Sequence, residues 1–234
     1  MKKRIDTSSV GMPGLSTAAL KSIAAVTMTI DHIGLLFTHG TLYFFLRCIG
    51  RLAFPLYAFL IAQGAVYTHS RLRYAVRLFL CGLVSEPVFD RVFYRSWWQP
   101  AHQNVLWTLL LGLLSLYVAD GLIGALKCGN FGCHTAVYLL SAAVFACAAQ
   151  MLGSDYGWYG VAIVVLFYML RAYLAAGCAA MSVLSLARGG LQAMAVCAAL
   201  PVLLYNGKKG RAGRWFYFYY PGHLAILGLL AGLL

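Results

Sequence analysis

The sequence predicts an all-α, polytopic transmembrane helical bundle. Three observations carry that expectation. Of 234 residues, 62% are hydrophobic, against roughly 45–50% in ordinary soluble domains. Mean hydropathy is +0.79. Apolar runs recur from about residue 18 to the last residue, and helices or closed barrels are the structures that cross a bilayer. About nine spans can be drawn, at about 18–38, 43–67, 75–95, 104–121, 136–152, 158–171, 173–187, 190–205 and 216–234.

Residues 1–17 begin MKKRIDTSSVGMPG. They are too polar, and too long before the first apolar run, for a typical cleaved leader. They read as a short cytoplasmic tail, with 18–234 as a single transmembrane domain. The run 18–38 is long enough to cross a hydrocarbon core of roughly 30 Å. It nevertheless carries Asp31 and His32 side by side. An Asp at that depth costs roughly 2.5–3.5 kcal/mol on insertion scales, so the default inference is a functional site. Asp31 and His32 point about 100° apart on a helix and do not face each other. Asp31 is therefore expected to pair with a cation on another helix.

The second span supplies such cations. Arg47 and Arg51 are four residues apart and share a helix face. Gly50 suits close packing and Pro55 a bend. Asp31 and Glu86 are the acids expected to hold these arginines. In the third span Glu86 precedes Pro87, which lacks an N–H and frees a backbone carbonyl. Asn104 opens the fourth span. Between the fourth and fifth lie Cys128, Cys133 and His134, whose spacing matches no zinc signature; no metal is expected. Cys81, Cys147, Cys178 and Cys197 fall in apolar segments and read as small core residues.

Residues 158–205 form three short spans or two longer ones, and loop charge decides between them. Lys2, Lys3 and Arg4 place the N-terminus in the cytoplasm. Lys208, Lys209, Arg211 and Arg214 make the strongest basic loop and should face the same side. Only three spans achieve that, which puts the C-terminus outside. Arg91 and Arg95 then lie outside, against the bias. The aromatic run before His223 in the last span reads as an interfacial belt. The net charge of +12 sits in these short loops and forms no basic domain with an aromatic platform, so nucleic acid is not an expected partner. The lipid bilayer is.

This topology sets depth. His32 is 11 residues beyond Lys21, about 16 Å along one helix face. His32 is then mid-membrane or slightly beyond. Arg47, Arg51, Glu86, Asn104 and Asp155 converge on the outer half. His223 is the natural partner, or competitor, of His32.

With those residues in place, the chain resembles the TraX family. The carriers are KSIAAVTMTIDHIG (21–34), RCIGRLAFPLYAFLIAQG (47–64), RLFLCGLVSEP (77–87), NVLWTLLLG (104–112), DYGWYG (155–160), YNGKKG (205–210) and YYPGHL (219–224). The resemblance implies a transmembrane acyltransferase, with acetyl-CoA as donor. Its acceptor would be a protein or envelope molecule, such as a pilin N-terminus or an envelope glycan or lipid. It also implies a bacterial cytoplasmic (inner) membrane location. Related acyltransferases carry a basic residue and a histidine at the spacing of Lys21 and His32.

On that reading His32 is the general base, since a histidine's ordinary pKa of about 6.5 suits proton transfer near neutrality. An acetyl-histidine intermediate stays open as the alternative route. Arg47 or Arg51 would stabilise the thioester oxyanion, held by Asp31 and Glu86, with His223 as a second catalytic candidate. Lys21, Lys208, Lys209, Arg211 and Arg214 would meet the CoA phosphates. Asn104, Asp155 and Tyr156 would contact the acceptor. The rival reading is a proton-coupled small-solute transporter, because intramembrane Asp, His, Glu and Arg also build proton relays. Against it, no internal repeat is evident.

Overall fold

The computed structural model describes residues 14–211 and 216–234. The regular elements among the described residues are all helices, in the order α1 (Thr17–Phe37), α2 (Gly40–Gly50), α3 (Ala53–Tyr67), α4 (Arg71–Tyr94), α5 (Val105–Ala125), α6 (Phe131–Met151), α7 (Gly157–Met169) and α8 (Leu174–Arg188). A 3₁₀ segment (Gly190–Ala198) then runs into the short α9 (Ala199–Leu203), and α10 (Phe216–Leu230) closes the bundle.

Among the described residues, four stretches are long and apolar enough to cross a membrane: α1, α2 with α3, α5 and α6. Helix α4 has 24 residues, about 36 Å, but carries more charge. Helices α7 and α8 and the 190–203 segment are shorter. The outside of the bundle is apolar, with Phe44, Phe45, Leu80, Val84, Leu140, Val144 and Val183 all exposed. In water such a surface would aggregate; in lipid it is the expected exterior. The chain is an integral membrane protein.

The second span is not one continuous helix. It breaks at Arg51–Leu52, between α2 and α3. Pro55 is the cause: it cannot donate to the Arg51 carbonyl, and its ring crowds that carbonyl. The predicted span 190–205 likewise is a 3₁₀ segment plus one turn of α-helix rather than a regular helix.

The two ends of the bundle differ. At the basic end, α1 begins beside the 204–209 loop. Leu15 N donates to Leu204 O at 2.8 Å, Thr17 N to Lys208 O at 2.8 Å and Ala18 N to Lys209 O at 3.1 Å. Ser16 caps α1 by accepting from Ala19 N. At the opposite, histidine end, Gln103 N donates to Gly153 O at 3.1 Å and Asp155 N to Gln103 O at 2.9 Å. Arg188, at the close of α8, lines the same hollow as Asp155. The chain between 157 and 205 thus leaves the histidine end, returns to it, and finishes at the basic end: three traverses.

Glycines set the close approaches around the site. A Cβ on Gly50 would overlap the Asp31 carboxylate, and one on Gly34 would meet Leu46 Cβ at 2.8 Å. Only small residues there let α1 and α2 bring Asp31 against the arginines. Cys128 and Cys133 are bonded to each other, closing the α5–α6 loop at the basic end. His134 faces the Cys128 carbonyl at 3.1 Å.

Candidate functional site

Two hollows lie back to back inside the bundle. One, at the basic end, has a volume of about 520 Å³ and polar lining groups that include Lys21, Gln63, Arg77 and Lys209. The other, at the histidine end, has about 830 Å³ and includes Asp31, His32, Arg47, Arg51, Asp155 and Tyr156. Met28, Tyr57, Val105 and Tyr220 line both, so these four side chains are the partition between them. His32 sits one helical turn beyond Met28 on α1.

Asp31 is the electrostatic anchor of the second hollow. Arg47 Nη1 donates to its Oδ2, and Arg51 Nη2 to its Oδ1 at 2.7 Å. One carboxylate thus holds two guanidinium groups, with side chains 9%, 16% and 13% exposed for Asp31, Arg47 and Arg51. The i, i+4 spacing of the arginines, and the chain break just after Arg51, aim both at one residue. Their Nε atoms have no hydrogen-bond partner among the described residues. Each guanidinium has five N–H donors, and those not committed to Asp31 remain for other uses.

His32 and His223 form a directed pair. His32 Nδ1 and His223 Nε2 are 2.8 Å apart, and His223 Nδ1 lies 2.9 Å from the Tyr219 carbonyl oxygen. A carbonyl only accepts, so neutral His223 carries its proton on Nδ1 and presents a lone pair at Nε2. His32 must then donate from Nδ1. That puts the lone pair of His32 on Nε2, the form a general base needs. The rings are stacked at 5.0 Å between centroids. Pro221 shapes the local helix: it leaves the Tyr217 carbonyl without its helical donor, and Cys81 Sγ donates to it at 3.1 Å.

The loop 153–156 completes the wall. Gly153 has φ +62, and a Cβ there would overlap the Ala101 carbonyl. Tyr156, at φ 68, stacks on Phe54 at 3.9 Å between centroids. The Arg51 guanidinium lies 5.9 Å from its ring centroid. Asp155 is exposed to the hollow, and the protein around it displaces enough solvent to push its carboxyl up from the ordinary range while Arg51 opposes. Burial raises the Tyr156 phenol as well, again against Arg51.

Several expected roles change. Glu86 does not touch the arginines. Its Oε1 accepts from Asn104 N at 3.1 Å, and its Oε2 accepts from Asn104 Nδ2 at 2.6 Å and from Trp107 Nε1. It satisfies the start of α5, where neutral donors suffice. Asn104 is fully buried, caps α5 through Leu106 N, and lines neither hollow. Lys21 shares a helix face with His32 but lines the other hollow, where its ammonium lies 5.6 Å from the Phe216 ring centroid. Lys209 joins it there. Lys208 and Arg211 are exposed at that end. Arg214 lies outside the described residues.

Sequence reasoning missed Gln63, Tyr57 and Tyr220, which sit in or between the hollows. It also missed Asp120, which accepts from Arg71, Tyr138 and Tyr168. Gln63 did carry a signal: it is the one primary amide within the apolar helix AFPLYAFLIAQGAVY.

Comparison with known proteins places these features in a family context. The family model described as "TraX protein" matches residues 16–231. A Dichelobacter nodosus protein named "Probable fimbrial assembly protein FimC, serogroup H1" is 32% identical over 247 residues, covering 91% of this chain and 94% of that protein. "Uncharacterized protein RP591" of Rickettsia prowazekii (strain Madrid E) is 26% identical over 153 residues, covering 65% of this chain and 54% of that protein. No solved structure matches.

Proposed function

The chain belongs to the TraX family, and from that premise we propose that it is a membrane-embedded acetyltransferase using acetyl-CoA. The observation that carries the reading is the pair of back-to-back hollows, with a base-competent His32 one turn past their partition. Acetyl-CoA enters from the basic end, where Lys21, Arg77 and Lys209 suit its phosphates. The acceptor enters from the histidine end. The basic end faces the cytoplasm of a bacterial inner membrane, in keeping with its Lys/Arg excess, and the three traverses between 157 and 205 support a nine-span topology. The name of the Dichelobacter relative directs the acceptor reading toward a fimbrial or pilus subunit, at its terminal amine.

The chemistry balances on residues of this chain. His32 Nε2 takes a proton from the acceptor amine as nitrogen bonds to the thioester carbonyl carbon. The N–H donors of Arg47 and Arg51 not bound to Asp31 stabilise the resulting oxyanion. The tetrahedral adduct collapses, the carbon–sulfur bond breaks, and the imidazolium returns its proton to the departing thiolate. The products are the acetylated amine and CoA. His223 holds His32 in the required tautomer throughout, much as a third group orients the base in hydrolytic triads.

A two-sided hollow also suits a proton-coupled solute transporter. Protein reconstituted in liposomes with labelled acetyl-CoA separates the two. Label appearing on an amine acceptor supports the enzyme. Solute uptake with no acetyl transfer overturns it.

A further inference from the structure

We propose that Gln63 hydrogen-bonds an amide of the pantetheine arm of the acyl donor. The proposal rests on the donor reading above. Gln63 is 3% exposed, and neither its Nε2 nor its Oε1 has a hydrogen-bond partner among the described residues. It borders the hollow at the basic end, with both amide atoms covered. Buried polar groups in native folds are almost always satisfied. A Leu or Met would fill the same place with no orphaned donor or acceptor, so nothing in the packing of α3 explains an amide here.

The chemistry of the orphan narrows the ligand. A phosphate or carboxylate would use Nε2 and leave Oε1 facing an anion. A cation would use Oε1 alone. A secondary amide offers a donor and an acceptor together, and satisfies whichever end of Gln63 it meets without repelling the other. The hollow fits an uncharged arm: Leu60, Ile61, Leu106 and Leu109 give it an apolar wall.

Position agrees with chemistry. Gln63 lies six residues from Tyr57, about 9 Å along α3, and Tyr57 belongs to the partition. One turn further on, Tyr67 and Thr68 mark the basic end, with Arg77 and Lys209 lining the same hollow. From the partition outward the order is therefore reacting site, amide, cations. Acetyl-CoA has the same order: thioester, two secondary amides, phosphates.

The test uses the full chain in nanodiscs, with CoA binding measured by calorimetry and stability by thermal unfolding. Wild type should bind CoA, and S-acetylpantetheine, which lacks the nucleotide, should compete with it. Gln63→Met should weaken CoA binding by about 5- to 150-fold, the range for removing a hydrogen-bonding partner. Adenosine bisphosphate, which lacks the arm, should bind both proteins alike. The same variant should unfold at a higher temperature than wild type in the absence of CoA, because it removes an orphaned polar group. A residue serving only the fold would not gain stability while losing ligand. Equal CoA affinity in wild type and Gln63→Met overturns the proposal and leaves the donor reading intact. Failure of S-acetylpantetheine to compete in the wild type also overturns it, without relying on the variant. Failure of wild type to bind CoA overturns the donor reading itself.

Discussion

Replacing Asp31 with Asn should collapse the histidine end of the bundle. Asp31 is the shared partner of Arg47 and Arg51, so one substitution removes the counter-charge from two guanidinium groups. Breaking a buried ion pair typically costs about 3–5 kcal/mol. Both arginines line the hollow, where water can reach part of each, and this places the expected loss near 3 kcal/mol on that scale. The Asn amide keeps one acceptor, so the loss is electrostatic rather than steric. Gly50→Ala supplies an independent route to the same damage, since its Cβ would displace the carboxylate without changing any charge. Thermal unfolding of detergent-solubilised protein is the assay, with size-exclusion profiles reporting folded yield. A cycle adding Arg47→Gln and Arg51→Gln to Asp31→Asn should recover part of the loss, because no uncompensated cation then remains. Wild-type stability in both Asp31→Asn and Gly50→Ala would refute the shared-anchor account.

Other expectations follow from the same geometry. His223→Gln keeps an acceptor for His32 Nδ1 and should retain a measurable fraction of acetyl transfer, whereas His223→Phe should lose most of it; equal rates in the two would contradict a tautomer-fixing role. Desolvation raises the Asp155 carboxyl, so the fold disfavours its charged form relative to the unfolded chain. Its stabilising contribution is full below the ordinary carboxylate range and is lost as pH rises through the raised value. Asp155→Asn should therefore flatten the fall in stability with rising pH across that window, measured by unfolding at a series of pH values. If the basic end faces the cytoplasm, a cysteine at position 209 on a Cys-free background should resist a membrane-impermeant reagent added from outside. On the same topology the Cys128–Cys133 bridge faces a reducing compartment that works against it; mass-tagging after rapid acid quench should then find the two as thiols in intact cells, although they lie close enough to bond. Efficient labelling at 209 together with a persistent disulfide would invert the topology.

Much of the fold was legible because bilayer physics is severe. Apolar runs have few alternatives in lipid, and those drawn from the sequence fall on helical segments, four of which, among the described residues, are long and apolar enough to cross a membrane. The pairing of Asp31 with arginines was legible for a related reason: isolated charges at that depth are costly, and few opposite charges were near enough to answer them. Glu86 was assigned wrongly because a carboxylate is satisfied equally well by backbone and amide donors, and Asn104 and Trp107 carry no charge to advertise themselves. Lys21 and His32 show a second limit. Their spacing fixes a common helix face, but about 16 Å of axial separation places them in different hollows. The break at Arg51–Leu52 was present in the sequence as Pro55, read only as a bend. Gln63 and the partition residues depend on how four helices meet, and hydropathy does not encode that.

The central claim is that His32 Nε2 is the base for acetyl transfer at the partition between the two hollows. The most direct measurement compares wild type with His32→Ala for transfer of labelled acetyl from acetyl-CoA to an amine acceptor, with CoA binding and size-exclusion behaviour as controls. The account predicts a well-folded variant that still binds CoA and transfers acetyl about 10²–10⁴-fold more slowly, the usual contribution of a general base. A folded His32→Ala protein with near wild-type transfer would contradict it.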